Sequence, residues 1–153
     1  MLLQPPALLD GLSAARFRAT FSVERRNTAG TYCAFVFDAK GPDDFNMLRL
    51  EHKNSYTTGA AWAYEFVDGQ RSDLTCSHDL DAAPSLTSSD KLWVRITKDV
   101  TEESVTYVEV KMIESATAPG ENDWAAQDWV MRVDIDEFTD ATGGRIGFLD
   151  GDV

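Results

Sequence analysis

A chain of 153 residues, 43% hydrophobic with eight Phe, four Trp and four Tyr, has apolar volume for one domain and little room for a second. Its formal charge of −12, from 26 acidic and 14 basic residues, repels nucleic-acid phosphates and anionic lipid, so neither is an expected partner. No apolar run is long enough for a bilayer-spanning helix, and membrane insertion is not expected.

The start, Met1-Leu2-Leu3-Gln4-Pro5-Pro6, lacks the basic region of a secretory signal, and its prolines cut the apolar run short. An extracellular location is therefore expected only for a mature form or an excised domain. Residues 1–13 read as a lead-in segment, with Gly11 also opposing regular structure, and residues 14–153 as a single domain. From residue 15, Ala15, Phe17, Ala19, Phe21 and Val23 share one phase, and Arg16, Arg18, Thr20, Ser22 and Glu24 the other. That two-residue period belongs to a half-buried antiparallel strand.

A turn at 27–30 leads to a strand at 31–38, and a turn at 40–44 to one at 45–52. The three are expected to pair in order as a meander. Residues 59–67 alternate again, with Trp62, Tyr64 and Phe66 in phase. A polar interval at 68–90 offers only 73–77 as a short strand. Further strands are expected at 91–98, with Leu92, Val94 and Ile96 in phase, and at 104–113. Residues 115–123 read as a loop around Pro119-Gly120, and Trp129, Met131, Val133 and Ile135 as one face of the next strand. A short strand at 145–149 follows Gly143-Gly144. With no helix of ordinary length, this spacing predicts an all-β sandwich of two antiparallel sheets.

The order of motifs resembles a laminin-G-like, concanavalin A-like jelly roll. Its carriers are Arg18 to Val23, Ala34 to Asp38, Asp44 to Leu50, the Trp-led strand at 93–97, residues 105–111 and Gly144 to Phe148. The 3-keto-glycoside hydrolase sandwich shares this gross order, but no catalytic pattern carries over. In the family a further strand usually follows the one at 145–149. Here it is either missing or replaced by residues 1–13, and the polar interval at 68–90 is unusually long. Such folds host carbohydrate-binding modules, hydrolases, adhesion domains and structural parts, so the resemblance implies a jelly roll without choosing among them.

Catalysis is not expected. Asp134, Asp136 and Glu137 resemble the Glu-x-Asp-x-x-Glu strand of family 16 glycoside hydrolases, but position 139 is Thr and the final acid is missing. His52 and His78 are flanked by no nucleophile motif, and Cys33 and Cys76 by no metal-binding spacing, leaving one disulfide or two buried thiols. Calcium is the most plausible ion, because loops can offer it carboxylates from Asp38, Asp43 and Asp44, or from Asp136 and Asp140. Solvated acidic turns are the commoner explanation for such groups.

Aromatic platforms flanked by polar side chains suit sugar rings. Trp62, Tyr64 and the loop residue Trp124 are candidate platforms, with Asn46, Arg49 and Glu51 as hydrogen-bonding partners. Aromatic stripes at strand spacing nevertheless belong to cores more often than to binding faces. The expected function is a lectin-like, non-catalytic module that recognises carbohydrate or a protein surface. The alternatives are a structural subunit whose sheet is completed by a partner chain, and a glycoside hydrolase.

Overall fold

Alternation governs the long strands, and each buries its apolar phase against the opposite sheet. The computed structural model describes residues 2–3, 16–23, 31–52, 59–84, 91–99, 107–138 and 144–149. One sheet contains β1 (Leu2–Leu3), β3 (Thr31–Ala39), β4 (Phe45–His52), β5 (Ala61–Val67), β6 (Gln70–Asp73) and β11 (Arg145–Leu149). Its order is β1-β11-β3-β4-β5-β6. The other contains β2 (Arg16–Val23), β7 (Cys76–His78), β8 (Lys91–Asp99), β9 (Tyr107–Ser115) and β10 (Trp129–Asp134), in the order β2-β8-β9-β10-β7. All the pairings are antiparallel, so the chain is a two-sheet β sandwich.

The expected meander is corrected at its first member. β3, β4 and β5 do pair in order, but β2 pairs with β8 in the other sheet. Phe17 then meets Phe35 and Phe37 across the sheets in tilted contacts, with ring centroids 5.7 and 5.8 Å apart. Burial across sheets, rather than adjacency in the chain, places this strand. The lead-in segment also contributes: Leu2 and Leu3 pair with Leu149 and Phe148, giving β11 its outer neighbour.

Among its described residues, 68–84, the polar interval holds two strands instead of one. β6 runs along the upper half of β5, after which Leu74 N–H donates to the Ala63 carbonyl at 3.1 Å and the chain crosses to the other sheet as β7. Residues 121–126, expected as loop and strand approach, form the helix α1 (Glu121–Ala126). Asp123 accepts the Gly120 N–H at 2.7 Å and so caps its start. β10 shifts register between Trp129 and Met131, which buries Val130 and Met131 together and leaves Trp129 on the outer face.

Phe17, Phe35, Phe37, Leu48, Leu50, Leu92, Val94, Ile96, Val108, Val110 and Met112 form the core between the sheets. Cys33 and Cys76 form no disulfide and pack against it, and burial raises the Cys76 thiol above its ordinary value. One charge pair is also enclosed. Lys98 continues the inward phase of Leu92, Val94 and Ile96, and its Nζ lies 2.5 Å from Asp38 Oδ2. Asp38 reaches inward because β3 carries a bulge, Ala39 and Val36 pairing with Arg145 and Gly147, and Asp38 itself has a φ of 51°.

Gly144 lies against that bulge with a φ of 150°, and a Cβ there would come within 2.3 Å of the Asp38 carbonyl carbon. Only glycine permits this approach. The lysine and aspartate side chains are 0% and 2% exposed, so removing either strands its partner's charge in the core. Lys98→Met is expected to lower stability by about 3–5 kcal/mol, read from urea denaturation. A loss below about 1 kcal/mol would show that the pair carries no such role.

Candidate functional site

The six-stranded sheet turns one face to the core and the other away from it. On the outward face, β5 presents Trp62, Tyr64 and Phe66, because Ala61, Ala63 and Glu65 take the inward phase. All three aromatics are half-buried, so their rings are only partly covered. This differs from the common assignment of such stripes to the core. Phe66 stacks on Phe45 of β4 with centroids 4.5 Å apart, and Ala34, Val36 and Met47 form the apolar floor between them.

Charged pairs flank the stripe on both sides. From β4, Arg49 lies 5.9 Å from the centre of the Trp62 ring and 3.1 Å from Glu51. From β6, Arg71 lies 5.1 Å from the Tyr64 ring and 3.1 Å from Asp73. The two pairs share a spacing, arginine followed two residues later by an acid, which sets both side chains on one face of a strand. Glu51 is 6% exposed while Arg49 is 39% exposed, so the buried carboxylate aims a guanidinium that solvent can reach. Rings with flanking guanidinia and carboxylates can stack on an apolar ring face and bond hydroxyl groups beside it.

Four of the six candidate ligand residues, Trp62, Tyr64, Arg49 and Glu51, therefore meet on one surface. Asn46 does not: it shares the inward phase of Leu48 and Leu50 and donates to Asp38 Oδ2 at 3.4 Å. Trp124 lies on the opposite side of the sandwich, only 2% exposed beneath Arg95, whose guanidinium is 4.6 Å from its ring. Glu121 clamps that arginine at 2.9 and 2.7 Å, and the bond holds the Glu121 carboxyl below its ordinary range. The six-residue helix makes this indole a packing element. Arg71 and Asp73 were hidden in the polar interval, where only their i, i+2 spacing repeats that of Arg49 and Glu51.

The candidate calcium ligands separate. Asp38 holds Lys98 in the core. Asp44 Oδ1 accepts the Asp68 N–H at 2.8 Å and the Asp43 carbonyl accepts the Gly69 N–H at 2.9 Å, tying two turns together. Asp136 is exposed within a short 3₁₀ turn (Ile135–Glu137), its N–H bonded to Asp134, and Asp140 lies outside the described residues. Among the described residues, no three His, Cys, Asp or Glu side chains are grouped to hold a metal ion. Compared with protein-family models, curated proteins and solved structures, the chain matches none.

His78, at the end of β7, borders the site: its ring centroid is 6.1 Å from that of Trp62, and it closes over Gly59. Burial holds its imidazole below the ordinary value of 6.5. The folded state thus prefers the neutral ring, so its contribution is complete above the unfolded value and lost as pH falls through the lower folded value. Urea denaturation from about pH 7.5 to about pH 5 should show stability falling, and His78→Gln should remove part of that fall. An identical pH profile in the variant would refute this assignment.

Proposed function

We propose that this protein is a non-catalytic module that binds carbohydrate across the outward face of its six-stranded sheet. The observation that carries the reading is the Trp62, Tyr64 and Phe66 row, turned away from the core and flanked by Arg49 with Glu51 and Arg71 with Asp73. Alternate residues along a strand stand about 7 Å apart, so the row presents successive platforms to an extended chain of sugar rings. The order of strand motifs, similar to that of laminin-G-like and concanavalin A-like jelly rolls, favours the same reading. In it the aromatic rings supply apolar contact and the flanking pairs supply directional bonds to hydroxyls.

Glycan-array screening followed by calorimetry, with and without calcium, tests it. Trp62→Ala and Tyr64→Ala should each weaken binding by about 2 kcal/mol, roughly thirtyfold in Kd. Trp129→Ala, on the opposite sheet beside Arg132, should leave affinity unchanged. Absence of binding to any glycan, or equal losses from all three variants, would sink the proposal.

A further inference from the structure

Three nitrogen- and oxygen-bearing side chains meet in the sealed space between the sheets. Lys98 enters from β8; Asp38 and Asn46 enter from β3 and β4 of the facing sheet. A single oxygen, Asp38 Oδ2, lies 2.5 Å from Lys98 Nζ and accepts from Asn46 Nδ2 at 3.4 Å. Asn46 is 3% exposed, and Glu65, directly opposite it in register on β5, is 7% exposed. The Phe37 ring centre is 5.5 Å from the lysine nitrogen. An amine, a carboxamide and a carboxyl touching both nitrogens are therefore held together among apolar walls.

We propose that Lys98 and Asn46 condense into an isopeptide bond that joins the two sheets covalently, with Asp38 as the catalytic acid–base group. Asp38 takes a proton from the lysine ammonium, and the neutral amine attacks Asn46 Cγ. A bond forms between Nζ and Cγ, and the bond between Cγ and Nδ2 breaks. The attacking nitrogen passes its remaining extra proton to Nδ2, which leaves as ammonia. Ammonia departs neutral, and Asp38 keeps the proton it took, so that no unpaired charge remains in the core. One ammonium, one carboxylate and one primary amide thus become one secondary amide, one carboxylic acid and ammonia, with no oxidant or reductant needed.

The amine and the amide that the step calls for both contact the same carboxylate oxygen. Desolvation lowers the lysine pKa, which favours the free amine, while the bond to Asp38 opposes that shift and supplies the proton acceptor. Holding amine and amide against one carboxyl replaces a bimolecular encounter with a fixed geometry. Exclusion of water strengthens the interaction of the Asp38 acid with the developing oxyanion and protects it from competing hydrolysis. Cys33 and Cys76 form no disulfide, so an amide staple would join these sheets where a disulfide does not.

Intact-mass spectrometry of the purified folded protein tests the bond, with tryptic mapping to locate it. The expected mass is one ammonia below that of the sequence. Trypsin should fail to cut after Lys98 and leave one branched peptide joining β4 to β8. Lys98→Arg, which keeps the charge and cannot form the amide, should retain its full mass. An unmodified wild-type mass with normal cleavage after Lys98 overturns the proposal. Loss of water instead of ammonia, with the link mapped to Asp38 or Glu65, overturns the assignment to Asn46.

Discussion

Everything in this sandwich depends on a continuous run of phenylalanine rings between the sheets. Phe21 meets Phe148 at 4.7 Å, Phe148 meets Phe35 at 5.4 Å, and the run passes through Phe17 and Phe37 to Phe138. Burying each ring contributes about 1.5–3 kcal/mol, and offset or edge contacts add to it. Because β2 offers Phe17 and Phe21 while β3 offers Phe35 and Phe37, this interaction decides that the two strands oppose rather than pair. Lys98 lies at the Phe37 end of the run, so the charge pair is enclosed by the same packing that joins the sheets.

The outward face follows from that arrangement. Once Ala61 and Ala63 fill the inward side of β5, the large rings of Trp62 and Tyr64 have only the other side to occupy. Small residues inside and aromatic residues outside reverse the usual distribution along a half-buried strand. Guanidinia cover part of the aromatic surface without removing it from solvent. In a chain that carries −12 overall, this surface pairs charge with exposed apolar ring faces.

Much of this was legible in the residues, and the failures have specific causes. The period of two identified the long strands, and it also held the interior placement of Asn46, which shares a phase with Leu48 and Leu50. Its polarity suggested a surface, yet phase prevails over polarity where the facing strand supplies a carboxylate. Lys98 likewise continues the phase of Leu92, Val94 and Ile96. The bulge at Asp38 was invisible, because an extra residue breaks the period that would reveal it. Trp124 was misplaced because a six-residue helix is too short to display a period of 3.6. Every residue of β6 is exposed, so Arg71 and Asp73 had no apolar alternation to announce them. Strand partners were hardest of all: alternation selects a face, whereas choosing a sheet depends on contacts distant in the chain.

The crossing from β6 to β7 has a consequence for how this chain can change length. Asp73 and Cys76 belong to different sheets, and only Leu74 and Thr75 lie between them. The passage has little slack, being fixed by Leu74 to Ala63 and by Thr75 to Glu137. One added residue would rotate β7 by half a period, turning Cys76 and His78 outward and forcing Ser77 towards the core. The same addition near Ala116 or Ala118, exposed after β9, would be absorbed by the loop. Insertions and deletions in descendants of this sequence should therefore gather at that loop and spare the two-residue passage.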